Sequence, residues 1–217
     1  EGELEPGFKA LMLTLPGETD LASSIGKNVD PEQIHYARNL TASGIGKHLF
    51  QELMEIWQGV ADDRDYNPNP EDSGRRSLRH AALTLIAAAD VEKGAHLAYS
   101  HFASATNMTD KAGALSVLAH LDDPRRNEAL DEFYADYSDD HLVVDKWFAL
   151  NAQWPFPGCL QQTRKLMQHD AFNMAQPNRV RALVGTFAAA NPVCFNALDG
   201  SGYQFVADTI LELDKIN

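Results

Sequence analysis

Apolar residues recur along this chain at intervals of three and four, the period of an α-helix with one buried face. Between Ile45 and Val60 they fall at Ile45, Leu49, Leu53, Ile56, Trp57 and Val60. The spacing returns at Leu78, Ala81, Ala82, Leu85 and Ala89, and again at Ala129, Leu130, Phe133, Tyr134 and Tyr137. Val143, Trp147 and Leu150 follow, then Val180, Leu183, Val184 and Phe187, and Val206, Ile210 and Leu213 close the series. No run of period two stands out, so the pattern predicts an all-α protein.

Boundary residues divide these stripes into helices. Asp30-Pro31-Glu32 and Asp123-Pro124 each set a capping side chain before a proline at the first helical position. Thr109-Asp110 and Ser201 read as further caps, and Asp139-Asp140, Pro155-Phe156-Pro157-Gly158 and Asn191-Pro192 as breakers. The longest polar gap, residues 63–74, reads as a surface loop between leading helices in 1–62 and stacked helix pairs in 75–217. Two antiparallel helices per roughly 30–40 residues is the pitch of HEAT, armadillo and tetratricopeptide arrays. No strict consensus repeats, so the expected architecture is a single domain over 1–217: an irregular α-solenoid, a superhelix of antiparallel helix pairs of armadillo or HEAT type. The chain starts without Met and stops just past an amphipathic helix. Both ends read as cuts in a longer protein, which makes the array C-terminally truncated with an apolar end face.

Composition narrows the function classes. The 217 residues, 44% of them hydrophobic, are enough for one large domain or two small ones. The net charge of −13, from 18 basic and 31 acidic residues, argues against a nucleic acid held through its phosphates. No segment approaches the ~20 apolar residues of a membrane-spanning helix, so no membrane partner is expected. Cys159 and Cys194 lie among apolar neighbours and read as buried free thiols, a low count that fits a reducing compartment.

The motifs of several enzyme classes are missing. There is no His-Glu-x-x-His, and the closest histidines, His96 and His101, are five apart, which turns them away from each other on a helix. Asp199-Gly200-Ser201-Gly202 lacks the strand that a nucleophile elbow needs and reads as a turn with a cap. No phosphate loop or dinucleotide fingerprint occurs, Cys159 has no evident base, and the sequons at Asn39 and Asn107 read as chance. Thus no catalytic residue and no metal ligand is expected. Two features stand out. In Asp145-Lys146-Trp147-Phe148 the aromatics read as core and the charges as a solvated face. Arg179 and Arg181 open a helix whose N-terminal dipole favours acids, so a binding role competes with a plain ion pair to a neighbouring helix.

Ordered blocks then carry a family resemblance. They are Arg75-Arg76-Ser77-Leu78-Arg79, Ala105-Thr106-Asn107-Met108-Thr109-Asp110, Val144-Asp145-Lys146-Trp147-Phe148-Ala149-Leu150, and Asn178-Arg179-Val180-Arg181 through Asn191-Pro192 to Tyr203. In this order and spacing the chain resembles the C-terminal helical domain of bacterial alanyl aminopeptidase N, a gluzincin zinc metallo-aminopeptidase. The resemblance implies stacked armadillo-like helices in a multidomain enzyme that removes N-terminal residues from peptides with one zinc ion. It implies that zinc and catalysis belong to an earlier domain, that this domain contacts the catalytic one, and that it walls a chamber admitting peptides. Arg181 matches an arginine lining that chamber near the substrate, and Arg179 a position filled by either basic residue. Asn178 is the third chamber candidate. The chain is expected to be inactive alone, to hold no cofactor itself, and to belong to the bacterial cytoplasm. The rival reading is a free-standing α-solenoid adaptor that binds peptides or proteins on its concave face.

Overall fold

A computed structural model describes residues 4–60 and 66–216. The described residues are helices and connections without a strand, as the three-to-four spacing requires. The chain divides into two compact units, residues 1–129 and 130–217.

The first unit contains α1 (Pro6–Leu13), α2 (Glu18–Ile25), α3 (Pro31–His48), α4 (Phe50–Gly59), α5 (Pro70–Ala89), α6 (Val91–Ser104) and α7 (Met108–Ala119). Helix α5 is its centre and packs against α1, α3, α4, α6 and α7. A stripe on one face cannot serve five neighbours, so α5 buries Leu78, Ala81, Ala82, Leu83, Leu85, Ile86 and Ala87 around most of its girth. Its small residues let other backbones come close. A Cβ on Gly94 of α6 would sit 2.2 Å from the Ala87 Cα, and one on Gly46 of α3 would sit 2.2 Å from the Leu85 carbonyl oxygen. Neither position has room for any side chain.

Some boundaries differ from the sequence reading. The continuous stripe from Ile45 to Val60 is two helices, α3 and α4, with Leu49 off helical geometry between them (φ −107°, ψ 23°). Residues 70–74, placed in the surface loop, form the first turn of α5: Pro70 takes the first helical position and the Asn69 side chain accepts the Asp72 N–H at 2.7 Å. Residues 63–65 of that loop lie outside the described residues. Helix α3 starts as expected, with Asp30 Oδ1 accepting from the N–H groups of Glu32 and Gln33. Helix α7 starts two residues earlier than Thr109-Asp110 suggested, because Asn107 is the cap and accepts the Asp110 N–H.

Helix α8 (Pro124–Tyr137) carries the chain into the second unit. There follow α9 (His141–Ala152), α10 (Cys159–Leu166), α11 (Pro177–Val180), a π-helical turn (Arg181–Gly185), α12 (Thr186–Ala190), α13 (Pro192–Phe195) and α14 (Ser201–Leu213). Phe133, Trp147, Phe148, Leu183, Val184, Phe187 and Phe205 fill the core, and the Trp147 indole N–H donates to the Leu130 carbonyl at 2.9 Å. On α14 the buried face is Gly202, Phe205 and Thr209, while Ile210 is exposed. The predicted stripe on that helix was one residue out of phase. Asp199 Oδ1 accepts the N–H of Ser201, so Ser201 opens α14 rather than capping it.

Cys159 and Cys194 form a disulfide between the start of α10 and α13, not two free thiols. The sequence places them 35 residues apart, and only the folding of α13 against α10 brings them together. Asn191, read from the sequence as a breaker, is 1% exposed and ties three segments. Its Nδ2 donates to the carbonyls of Ala152 and Trp154, each at 2.9 Å, and its Oδ1 accepts the Cys194 N–H.

Candidate functional site

The helix from Pro177 to Ala190 is where the sequence concentrates its unexplained cations. Pro177 occupies the first helical turn, and from Arg181 to Gly185 the chain widens to a π-helical turn. There the Thr186 N–H reaches the carbonyl of Arg181, five residues back, and the Thr186 hydroxyl donates to the same oxygen. Such single π turns inside α-helices are frequent at functional sites.

Arg179 and Arg181 are two residues apart, about 200° around a helix of 3.6 residues per turn. They therefore enter opposite environments. Arg179 is 3% exposed, with Nε 2.9 Å from Asp145 Oδ1 on α9 and its guanidinium 5.1 Å above the Phe148 ring. The Nε–H is not aimed along a hydrogen-bond line at that oxygen, so the contact is an ion pair, and the buried Nη1 has no hydrogen-bond partner. The phenyl face beneath it supplies a cation–π contact. This corrects the reading of Asp145 as part of a solvated face: Asp145 turns to Arg179, while Lys146 stays in solvent. Trp147 and Phe148 are core, as expected.

Arg181 is exposed, and its Nη1 donates to Asn178 Oδ1 at 2.8 Å. Asn178, Arg179 and Arg181 all line one cavity of about 410 Å³, together with His141, Leu142, Asp145, Gln176 and Pro177. The sequence reading named the first three. It missed His141 and Asp145, which α9 delivers to the same wall, because 30 or more residues of chain separate them from Asn178 and no periodicity links them. The wall thus presents one exposed guanidinium held by Asn178, one guanidinium paired with the Asp145 carboxylate, an imidazole and two amides. These are groups that hold carbonyl or carboxylate oxygens.

Metal chemistry has no anchor in the described residues, where no three His, Cys, Asp or Glu side chains converge to hold an ion. His101 instead does structural work. His101 Nε2 accepts from Arg79 Nη1 at 3.2 Å, the imidazole meets Trp57 edge to face at 5.2 Å, and Arg79 lies over Trp57 at 4.2 Å. Burial first, then the Arg79 charge, pushes the pKa of His101 down to about 4. His80 and His120 are lowered too, each chiefly by burial.

Comparison with known proteins places this geometry in context. The family model described as "Domain of unknown function (DUF3458_C) ARM repeats" matches residues 1–217. Aminopeptidase N of Caulobacter vibrioides is 37% identical over 213 residues, covering 98% of this chain and 25% of that protein. Aminopeptidase N of Escherichia coli K12 is 34% identical over 215 residues, covering 99% and 24%. The crystal structure of Legionella pneumophila aminopeptidase A in complex with aspartic acid superposes with a TM-score of 0.89 at 29% identity, over 100% of this chain and 26% of that one. The chain spans about a quarter of the length of these relatives.

Proposed function

The chain belongs to the DUF3458_C family of ARM-repeat domains, and from that membership we propose that it acts as a helical domain of a larger zinc aminopeptidase. One observation carries the reading: aminopeptidases N match 98–99% of this chain at 34–37% identity, while the chain covers only 24–25% of their length. In this role the domain walls the chamber in which peptides are cut and has no peptidase activity alone. The zinc that activates water and polarises the scissile carbonyl belongs to another domain. The bacterial cytoplasm is proposed as the setting from the family resemblance alone, since the Cys159–Cys194 disulfide withdraws the support that two free thiols gave to a reducing compartment.

The cavity beside α9 and α11 is the part of the wall that meets the peptide. Arg181 offers its planar fork to a backbone carbonyl or a C-terminal carboxylate, and Asn178 holds that fork through its Oδ1. Arg179 is the foundation beneath: its pairing with Asp145 fixes α11 on α9. The net charge of −13 favours cationic N-terminal amines over long range. On α1, Phe8, Leu11 and Met12 leave half or more of their surface exposed, an apolar face suited to the catalytic domain. The test is a side-by-side assay of this chain and the full-length protein on alanyl-anilide substrates with zinc. Chelator-sensitive turnover by the full-length protein alone is expected; turnover by the 217-residue chain overturns the reading.

A further inference from the structure

A second cavity, of about 520 Å³, lies between α2 and α3 in the first unit and shares no lining residue with the proposed peptide wall. Leu15, Pro16, Leu21, Ile25, Ile34 and Ala37 make it apolar. Its volume falls within the roughly 300–1,000 Å³ of small-molecule sites, which are mostly apolar with a few placed polar groups.

The polar groups on this wall are not equivalent. Asp30 is engaged at the N-terminus of α3, where Oδ1 accepts two N–H groups, and the Thr41 hydroxyl donates to Ala37. Asn28 and Gln33 are neutral amides. Arg38 is different. Its Nε donates to the Pro16 carbonyl at 2.9 Å, which pins the guanidinium to the connection between α1 and α2. Its two terminal nitrogens have no hydrogen-bond or ion-pair partner among the described residues. The nearby Glu18 is taken by His35, at 2.7 Å. A fixed cation with both terminal donors free, at an apolar hollow, matches the head and tail of one kind of molecule.

The geometry points to a binding site for a small aliphatic carboxylate, with its tail among Leu21, Ile25 and Ile34 and its head on the two terminal nitrogens of Arg38. The carboxylate makes the paired contact for which a guanidinium is shaped, and the tail removes apolar surface from water. The inference is independent of the peptidase reading, because it needs no other domain.

The experiment titrates octanoate, octanol and N-acetylleucine into the ¹⁵N-labelled chain and follows amide shifts. Octanoate is expected to give saturable shifts within residues 15–41, with octanol at least about tenfold weaker. Arg38→Gln is expected to weaken octanoate by about tenfold or more and leave octanol unchanged. N-acetylleucine binding as tightly as octanoate identifies a peptide C-terminus as the source of the carboxylate, and weaker binding identifies a fatty acid; either supports the site. No saturable shift, equal affinity for octanoate and octanol, or an unchanged Arg38→Gln variant overturns it. The octanoate–octanol comparison uses the unaltered chain, so it decides the matter even if the variant misfolds.

Discussion

Arg179 Nε lies 2.9 Å from Asp145 Oδ1, with the arginine 3% and the aspartate side chain 21% exposed. The two side chains join helices α11 and α9 beneath the cavity wall. Breaking a buried pair from one side strands the other charge, at a cost of about 3–5 kcal/mol that falls as the stranded group gains access to water, whereas replacing both partners with apolar chains of similar volume is often neutral. Asp145→Ala leaves Arg179 unpaired over Phe148 and is expected to lower stability by about 3 kcal/mol. Arg179→Met is expected to cost less, because Asp145 retains access to water. Urea midpoints of the two variants check the order; an equal or reversed order refutes the account of the pair.

Arg181 invites the opposite expectation. It is exposed and touches Asn178 only through one surface hydrogen bond, so Arg181→Ala is expected to change stability by no more than about 0.5 kcal/mol. If the proposed peptidase reading holds, the same substitution in the full-length protein is expected to reduce kcat/KM for peptides. Unchanged stability with unchanged kinetics across several peptide lengths removes Arg181 from the substrate wall. Lost stability makes it a structural residue instead.

The helical class and most helix positions were legible because they rest on local spacing: Leu78 to Leu85 or Ala129 to Phe133 declare their buried face within two turns. The failures share one physical cause, that the deciding contact is distant in sequence. Asp145 cannot be told from a solvated acid until Arg179 arrives 34 residues later. Cys159 and Cys194 read as separate thiols until α13 folds onto α10. The phase error on α14 is of the same kind, since Phe205 and Thr209 are chosen by the surface they meet. Of the candidate wall, Asn178, Arg179 and Arg181 were visible as charges and amides opening a helix. His141 became part of it only through the packing of α9.

Asn191 offers a test of one such distant contact. Its amide satisfies the carbonyls of Ala152 and Trp154, 39 and 37 residues away, and the Cys194 N–H three residues on. Removing it leaves several buried polar groups unpaired, each costing about 1–3 kcal/mol. Asn191→Ala is expected to destabilise by about 2–4 kcal/mol. Asn191→Asp is expected to be at least as harmful, because a carboxylate turns an acceptor toward the Ala152 and Trp154 carbonyls where a donor is needed. A tolerated Asn191→Asp, measured by thermal or urea unfolding, contradicts the hydrogen-bond assignment.

The disulfide makes a prediction that needs no variant. Protein purified without reductant and unfolded in urea is expected to show no titratable thiol, and two after reduction. Closing a loop of this length constrains the unfolded chain by roughly 3–4 kcal/mol, so reduction is expected to lower the urea midpoint. Two free thiols in the unreduced protein return the cysteines to the original sequence reading.

His101 sets a pH window. Its pKa is about 4 in the folded chain, against an ordinary 6.5, because burial and the Arg79 charge both oppose a second ring proton. Between these values the unfolded chain binds a proton that the folded chain does not. Stability from this group is therefore complete above pH 6.5, falls as the pH drops, and is gone below about 4. A shift of this size corresponds to a loss on the order of 3 kcal/mol. The lowered values of His80 and His120 act in the same direction. Carboxylates also titrate in the lower part of this window, so the informative quantity is a difference between proteins. His101→Gln keeps an acceptor for Arg79 and removes the titration. Its urea midpoint is expected to fall less steeply than that of the unaltered chain between pH 6.5 and 4. Identical slopes, or a His101 ring that titrates near 6.5 by NMR, rule out the Trp57, Arg79 and His101 cluster as an acid-sensitive element of the fold.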